Sequence, residues 1–190
     1  MDQRNPESSL LAENTFPECP GIIRKVELGG LSKSELLREL KRKEVFRNGY
    51  AEMLFAHDSF TISESIKNLM TIEVSVLDLG FPQGATSEHV FERADQLGLN
   101  LCPQELAPFL RLQYTDQPEG YWIVIASETL VAEDEFPNGF YLRRIDGKLW
   151  LRGYCADPQH NWDDEDRFIF VVSDRLNFRR KEHETDLGCS

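Results

Sequence analysis

Apolar and polar positions alternate most regularly through FYLRRIDGKLWLRGY (140–154), and the alternation folds back on itself at Asp146-Gly147. Asp-Gly is a favoured pair for a two-residue type I′ turn, because both central positions need positive φ. Such a turn sets Ile145 opposite Lys148, Arg143 opposite Trp150 and Tyr141 opposite Arg152. Side chains alternate across a strand, so Phe140, Leu142, Leu149 and Leu151 share one face, with Arg144 near the turn. That face reads as core. The other carries Tyr141, Arg143, Trp150 and Arg152, with Tyr154 at its end, and reads as a ladder of rings and guanidinium groups suited to cation–π contacts and to acidic ligands.

Elsewhere the pattern is helical first and then largely extended. GIIRKVEL (21–28) reads as a short strand broken by Gly29-Gly30. Ser32 and Glu35 form an S-x-x-E capping box, and Leu36, Leu37 and Leu40 follow at helical spacing, which predicts a helix over 33–44. Asn48-Gly49 ends that unit, and YAEMLF (50–55) starts a second, shorter helix. In MTIEVSVLDL, Ile72, Val74 and Val76 alternate with Thr71, Glu73 and Ser75, as in a half-buried strand. Thr86 is placed to cap a helix that buries Val90, Phe91, Ala94 and Leu97 and stops at Gly98. Pro103 suits the first turn of a short helix over 103–107. LRLQY (110–114) and YWIVIA (121–126) read as a second hairpin around DQPEG (116–120). Both faces of YWIVIA are apolar, and so are both faces of DRFIFVVS (166–173), which predicts central strands covered twice. The expected fold class is α+β, a mostly antiparallel sheet of hairpins with N-terminal helices packed against it. A single domain over 21–173 is expected, with a helical part over 31–69 and a sheet part over 70–173, between a leader over 1–20 and a charged tail over 174–190.

Composition narrows the function classes. A 190-residue chain that is 41% hydrophobic and 28% charged is globular in character. No apolar run nears the roughly 20 residues that span a bilayer. MDQRNPESSLLAEN lacks the basic and apolar regions of a signal peptide, so a cytoplasmic protein without membrane contact is expected. The formal net charge of −12 disfavours general nucleic-acid binding, whose affinity comes from Lys and Arg neutralising phosphates. Cys19, Cys102, Cys155 and Cys189 include no close pair, so no metal site is expected, and no cofactor either.

Several motifs come near a chemistry and stop short. Gly80 and Gly84 enclose three residues and precede Ala85-Thr86, whereas a Walker loop needs four residues and then Lys-Ser or Lys-Thr. DPQHNWDDEDRF (157–168) spaces Asp157, Asn161 and Asp163 like calcium ligands. Trp162 stands where an EF-hand needs glycine, and Phe168 where it needs glutamate. The two early helices could form a helix-turn-helix, but the second offers Glu52, Met53, Leu54 and Phe55, with no side chain to read bases. For nucleophilic or general-base catalysis the chain offers Cys102, Cys155, His57, His89, His160 and His183. The candidate catalytic group is His160 with Cys155 nearby and Asp157 or Asp163 as the orienting acid.

LCPQELAPFLRLQY, DQPEG and GFYLRRIDGKLWLRGY together resemble a group of uncharacterised bacterial proteins over 31–172. That resemblance brings no activity and no site residue with it. The residues themselves point to a non-enzymatic binding or regulatory module. Tyr141, Arg143, Trp150 and Arg152 would engage an unknown protein or a small acidic ligand. The alternative is a small cytosolic hydrolase centred on His160.

Overall fold

The turn at Asp146-Gly147 has the expected geometry, with φ of 51° and 73° at its two central residues. Its register pairs Ile145 with Lys148, Arg143 with Trp150 and Tyr141 with Arg152. The computed structural model describes residues 21–132 and 135–172. The leader with Cys19 and the tail with His183 and Cys189 lie outside the described residues.

In chain order the elements are β1 (Ile22–Leu28), α1 (Lys33–Arg42), β2 (Phe46–Arg47), α2 (Gly49–Ala56), β3 (Lys67–Ser75) and β4 (Ala85–Thr86). They continue with α3 (Ser87–Gln96), β5 (Leu99–Asn100), α4 (Leu106–Gln113), β6 (Trp122–Ile125), β7 (Gly139–Ile145), β8 (Lys148–Tyr154), β9 (Asn161–Trp162) and β10 (Arg167–Val172). Seven strands lie in the order β1-β3-β10-β6-β7-β8-β2, β5 pairs with the end of β10, and β4 with β9 forms a separate ribbon.

The class is α+β, but the sheet is mixed. β6 runs parallel to β10, and β2 runs parallel to β8. β6 and β10 are apolar on both faces, so each needs a neighbour on either side and cover above and below. Side by side at the centre they point the same way, and the β7–β8 hairpin with the chain after it supplies the long return that parallel neighbours require. Nor are the helices gathered at the N-terminus, since α3 and α4 follow β3. The expected hairpin between 110–114 and 121–126 does not form, because Leu110–Gln113 are the last turn of α4 and Tyr114 is its C-cap. Leu106, Phe109 and Leu110 are buried there at helical spacing. Pro108 falls in the first turn, where the missing N–H has no intrahelical acceptor to lose.

Local chemistry explains the other helix ends. The capping box at α1 is complete: Glu35 N donates to Ser32 Oγ at 3.3 Å, and Ser32 N donates to the Glu35 carboxylate at 2.9 Å. The helix stops at Arg42, two residues short of the expected end, and Glu44 takes a positive φ of 53°. Asn48 begins α2 instead of closing the unit before it, since its Oδ1 accepts from Ala51 N at 3.1 Å. The same amide clasps β8, accepting from Gly153 N at 2.8 Å and donating to Gly153 O at 2.9 Å. Gly153 has to be glycine, because a Cβ there would lie 2.6 Å from the Tyr50 backbone. Thr86 precedes α3 without capping it through its side chain, and its hydroxyl lies 3.0 Å from His89 Nδ1.

The sheet separates two apolar clusters. On one face, Val26, Ile123, Ile125, Phe140, Leu142, Leu151 and Ile169 pack under α1, α2 and α4. On the other, Ile72, Val74, Val124, Phe168 and Phe170 pack against Val90 and Ala94 of α3 and against Trp162. β3 is therefore buried on both faces, whereas its alternation predicts a half-buried strand. Its polar face survives burial because every polar group there has a partner. Thr71 Oγ1 donates to Arg24 O at 3.0 Å. Ser75 and Asp78 bond reciprocally at 2.9 and 3.0 Å. Glu73, 0% exposed, receives Arg24 Nη1 at 2.7 Å, Arg167 Nε at 2.6 Å and the Tyr121 hydroxyl.

Removing one member of a buried ion cluster leaves the others uncompensated, at a cost of about 3–5 kcal/mol. Glu73→Ala is expected to lower the free energy of unfolding by about that amount in urea denaturation.

Candidate binding face

α3 and the β4–β9 ribbon cover only part of the second sheet face. Phe91 of α3 meets Phe168 and Phe170 edge-on at 6.3 and 6.2 Å. The ribbon brings Trp162 to 5.2 Å from Phe168, 5.8 Å from Tyr154 and 6.2 Å from Trp122. Gly84 lets the two ribbon strands approach, since a Cβ there would meet Trp162 O at 2.3 Å. The GFPQGAT stretch thus serves as the turn into this ribbon.

Beyond Trp162 the face of β6, β7 and β8 carries Trp122, Tyr141, Arg143, Trp150 and Arg152. The hairpin register puts the last four on one side, and the pairing of Trp122 with Arg143 adds the fifth. Tyr141, Arg143, Trp150 and Arg152 are half-buried, and Trp122 is 36% exposed. The guanidinium of Arg152 lies 5.7 Å from the Tyr141 ring centre and 5.4 Å from that of Trp150. Trp150 in turn meets Phe46 of β2 at 5.2 Å, and the Lys148 ammonium lies 5.1 Å from the Phe46 ring. Rings and cations therefore alternate from Trp122 to the sheet edge.

Arg143 and Arg152 differ from the arginines that hold an acid, and share the lack of one with Arg93 and Arg111, which bond to Leu79 O and to Gln117. Arg24 and Arg167 hold Glu73, Arg47 holds Glu52 at 2.7 Å, and Arg144 lies 3.7 Å from Glu119. Among the described residues Arg143 and Arg152 form no ion pair. Arg143 Nε, Trp150 Nε1 and Arg152 Nε are shielded from solvent and have no hydrogen-bond partner there. An unpaired buried donor costs about 1–3 kcal/mol. A partner with acceptors could recover part of that cost as these side chains turn to meet it.

The residues considered for catalysis are arranged differently. His160 is exposed, and its ring meets Trp162 edge-on at 4.8 Å. Cys155 and Asp163 are also exposed, and no hydrogen bond joins either side chain to the His160 ring. Asp157 accepts locally, from His160 N at 2.8 Å and from Gln159 N at 2.7 Å. Asp166, which accepts from Asp163 N at 2.9 Å, has its pKa raised by burial and by the Asp163 charge. Cys102 is buried, donates to Ile169 O, and its thiol pKa is pushed far up by desolvation. His57 Nδ1 accepts from Ser59 N at 3.1 Å. Among the described residues no three His, Cys, Asp or Glu side chains converge as metal ligands would. No helix among them is long and apolar enough to cross a membrane.

An acidic concavity of about 860 Å³ lies between Asp78, Tyr121 and Asp163 and borders the face at Trp122, and smaller ones lie beside Tyr114, Ser32 and Gln104. None of these four is lined by Tyr141, Arg143, Trp150 or Arg152. Sequence reasoning left Phe46 and Trp162 out of the face. Phe46 sits in a two-residue strand with no periodicity to read, and Trp162 stands within an acidic loop. Trp122 was legible only as one side of a two-faced strand. Arg111 escaped notice too: it is fully buried in α4, its pKa is lowered to about 10 by desolvation, and its guanidinium donates to Gln117.

Tyr154 closes the ladder against Trp162, and burial pushes its phenol above the ordinary value of 10. Tyr121 is raised too, by burial and then by its bond to Glu73. The folded state keeps these protons where the unfolded chain would release them. Their contribution to stability is whole below pH 10 and is lost as pH rises above it. In an ultraviolet titration part of the tyrosine signal is expected to ionise late, and Tyr154→Phe to remove one residue's share of it. Comparison of this chain with family models, with curated protein sequences and with solved structures returns no match.

Proposed function

We propose that the chain is a non-enzymatic binding module that engages an acidic partner through the Tyr141, Arg143, Trp150 and Arg152 face. The observation that carries this reading is the state of its cations. In a chain of net charge −12, Arg143 and Arg152 have acids available to them in abundance, yet form no ion pair among the described residues. Hydrogen bonds to charged groups contribute about 1.5–3 kcal/mol each, more than neutral ones, so two open guanidinium groups are a substantial source of affinity. The flanking rings of Trp150 and Tyr141 hold Arg152 between them, which lowers the entropy lost when it meets a carboxylate. Screening over about 8 Å at physiological ionic strength limits the repulsion from the chain's net negative charge and leaves short-range contacts with carboxylates intact. The partner is therefore a protein segment or small ligand with carboxylates.

The hydrolase reading has less behind it, because no orienting hydrogen bond holds the His160 ring. Poly-L-glutamate is the simplest probe of the binding face. It is expected to change Trp150 fluorescence in a Trp122→Phe, Trp162→Phe background, and the double change Arg143→Ala, Arg152→Ala to weaken binding about tenfold or more. Equal affinity of the double variant would remove the proposal.

A further inference from the structure

We infer that the occupant of this face is an extended acidic peptide segment with carboxylates at alternate positions, i and i+2; the inference rests on the binding reading above and adds the spacing. Arg143 is opposite Trp150 and Arg152 is opposite Tyr141, so the two arginines stand diagonally across the β7–β8 pair. Diagonal neighbours of this kind lie about 7–8 Å apart. In an extended segment, side chains on the same side recur every second residue, about 6.6 Å apart. Carboxylates at i and i+2 therefore reach both guanidinium groups together, and the residue between them turns to solvent. Adjacent acids point to opposite sides and can satisfy only one arginine.

The remaining groups favour the same occupant. The rings of Tyr141 and Trp150 form the other diagonal of the square and support the peptide between its two charges. Small-molecule sites are usually concave and bury most of the ligand. Polynucleotides draw their affinity from many phosphate contacts, on the order of 6–10. Two unpaired arginines on an acidic chain do not supply that number.

The test compares three blocked, serine-flanked peptides of equal charge, bearing Asp-Ser-Asp, Asp-Asp-Ser and Asp-Ser-Ser-Asp. They are titrated into the millimolar range against the full chain, with the Trp150 indole N–H and arginine Nε–H resonances as readout. The Asp-Ser-Asp peptide is expected to bind about tenfold tighter than either isomer and to shift both arginine signals. Arg143→Gln and Arg152→Gln are each expected to bring the three peptides to one common weak affinity. The comparison among peptides on the unaltered chain stands even if a variant folds poorly. Equal affinities on this face would overturn the spacing and leave the binding reading intact. No shift with any peptide, together with no response to poly-L-glutamate, would overturn both. Oligo-dT shifting these resonances in place of the peptides would overturn the inference. So would self-association of the chain that is lost in Arg152→Glu, because the occupant would then be of another kind.

Discussion

The structure depends on one sheet being buried on both faces through its middle. β10 and β6 carry apolar side chains above and below, β3 buries one apolar face and one hydrogen-bonded polar face, and burial at about 25 cal/mol per Å² makes exposure of the apolar faces costly. α1, α2 and α4 cover one side, and α3 with the β4–β9 ribbon covers the other. That double cover stops at β7 and β8. The ladder of arginines and rings is only half-buried because α3, ten residues long, ends its cover over Phe168 and Phe170 and the ribbon carries it only as far as Trp122 and Tyr154.

Double burial also explains the charged interior. β3 contributes Glu73 to the helix-covered face, where no water reaches it, and the chain answers with Arg24 from β1, Arg167 from β10 and the Tyr121 hydroxyl. Three strands are thereby tied to one carboxylate. Arg111 and Gln117 extend the polar interior toward Tyr121 O and Leu142 O. A buried ion cluster often adds no more stability than well-packed apolar residues of similar volume would. On the helix-covered face Glu73 holds Arg24 and Arg167, whereas Arg143 and Arg152 on the other face meet no acid among the described residues.

The candidate site was legible because its determinants are local. Asp146-Gly147 fixes a turn, the turn fixes a register, and the register alone places Tyr141, Arg143, Trp150 and Arg152 on one side. The capping box at Ser32 and Glu35 is local in the same sense. Misreadings arose where neighbours in space outweighed neighbours in sequence. LRLQY has the residues of a short strand, yet Leu106, Phe109 and Leu110 bury in α4 against the sheet. Thr71, Glu73 and Ser75 look like a solvent face until Arg24, Arg167 and Asp78 arrive from elsewhere in the chain to satisfy them.

The sequence by itself determined the α+β class, the β7–β8 hairpin with its two unlike faces, and the start of α1, because each follows from bonds spanning a few residues. The tertiary structure decided the rest. Two double-faced strands, β6 and β10, took the centre side by side and made the sheet mixed. Phe46 reached the ladder through a two-residue strand paired to β8, and Trp162 reached it through the ribbon. No local pattern could announce these placements, since each depends on which distant surface offered the larger burial of apolar area.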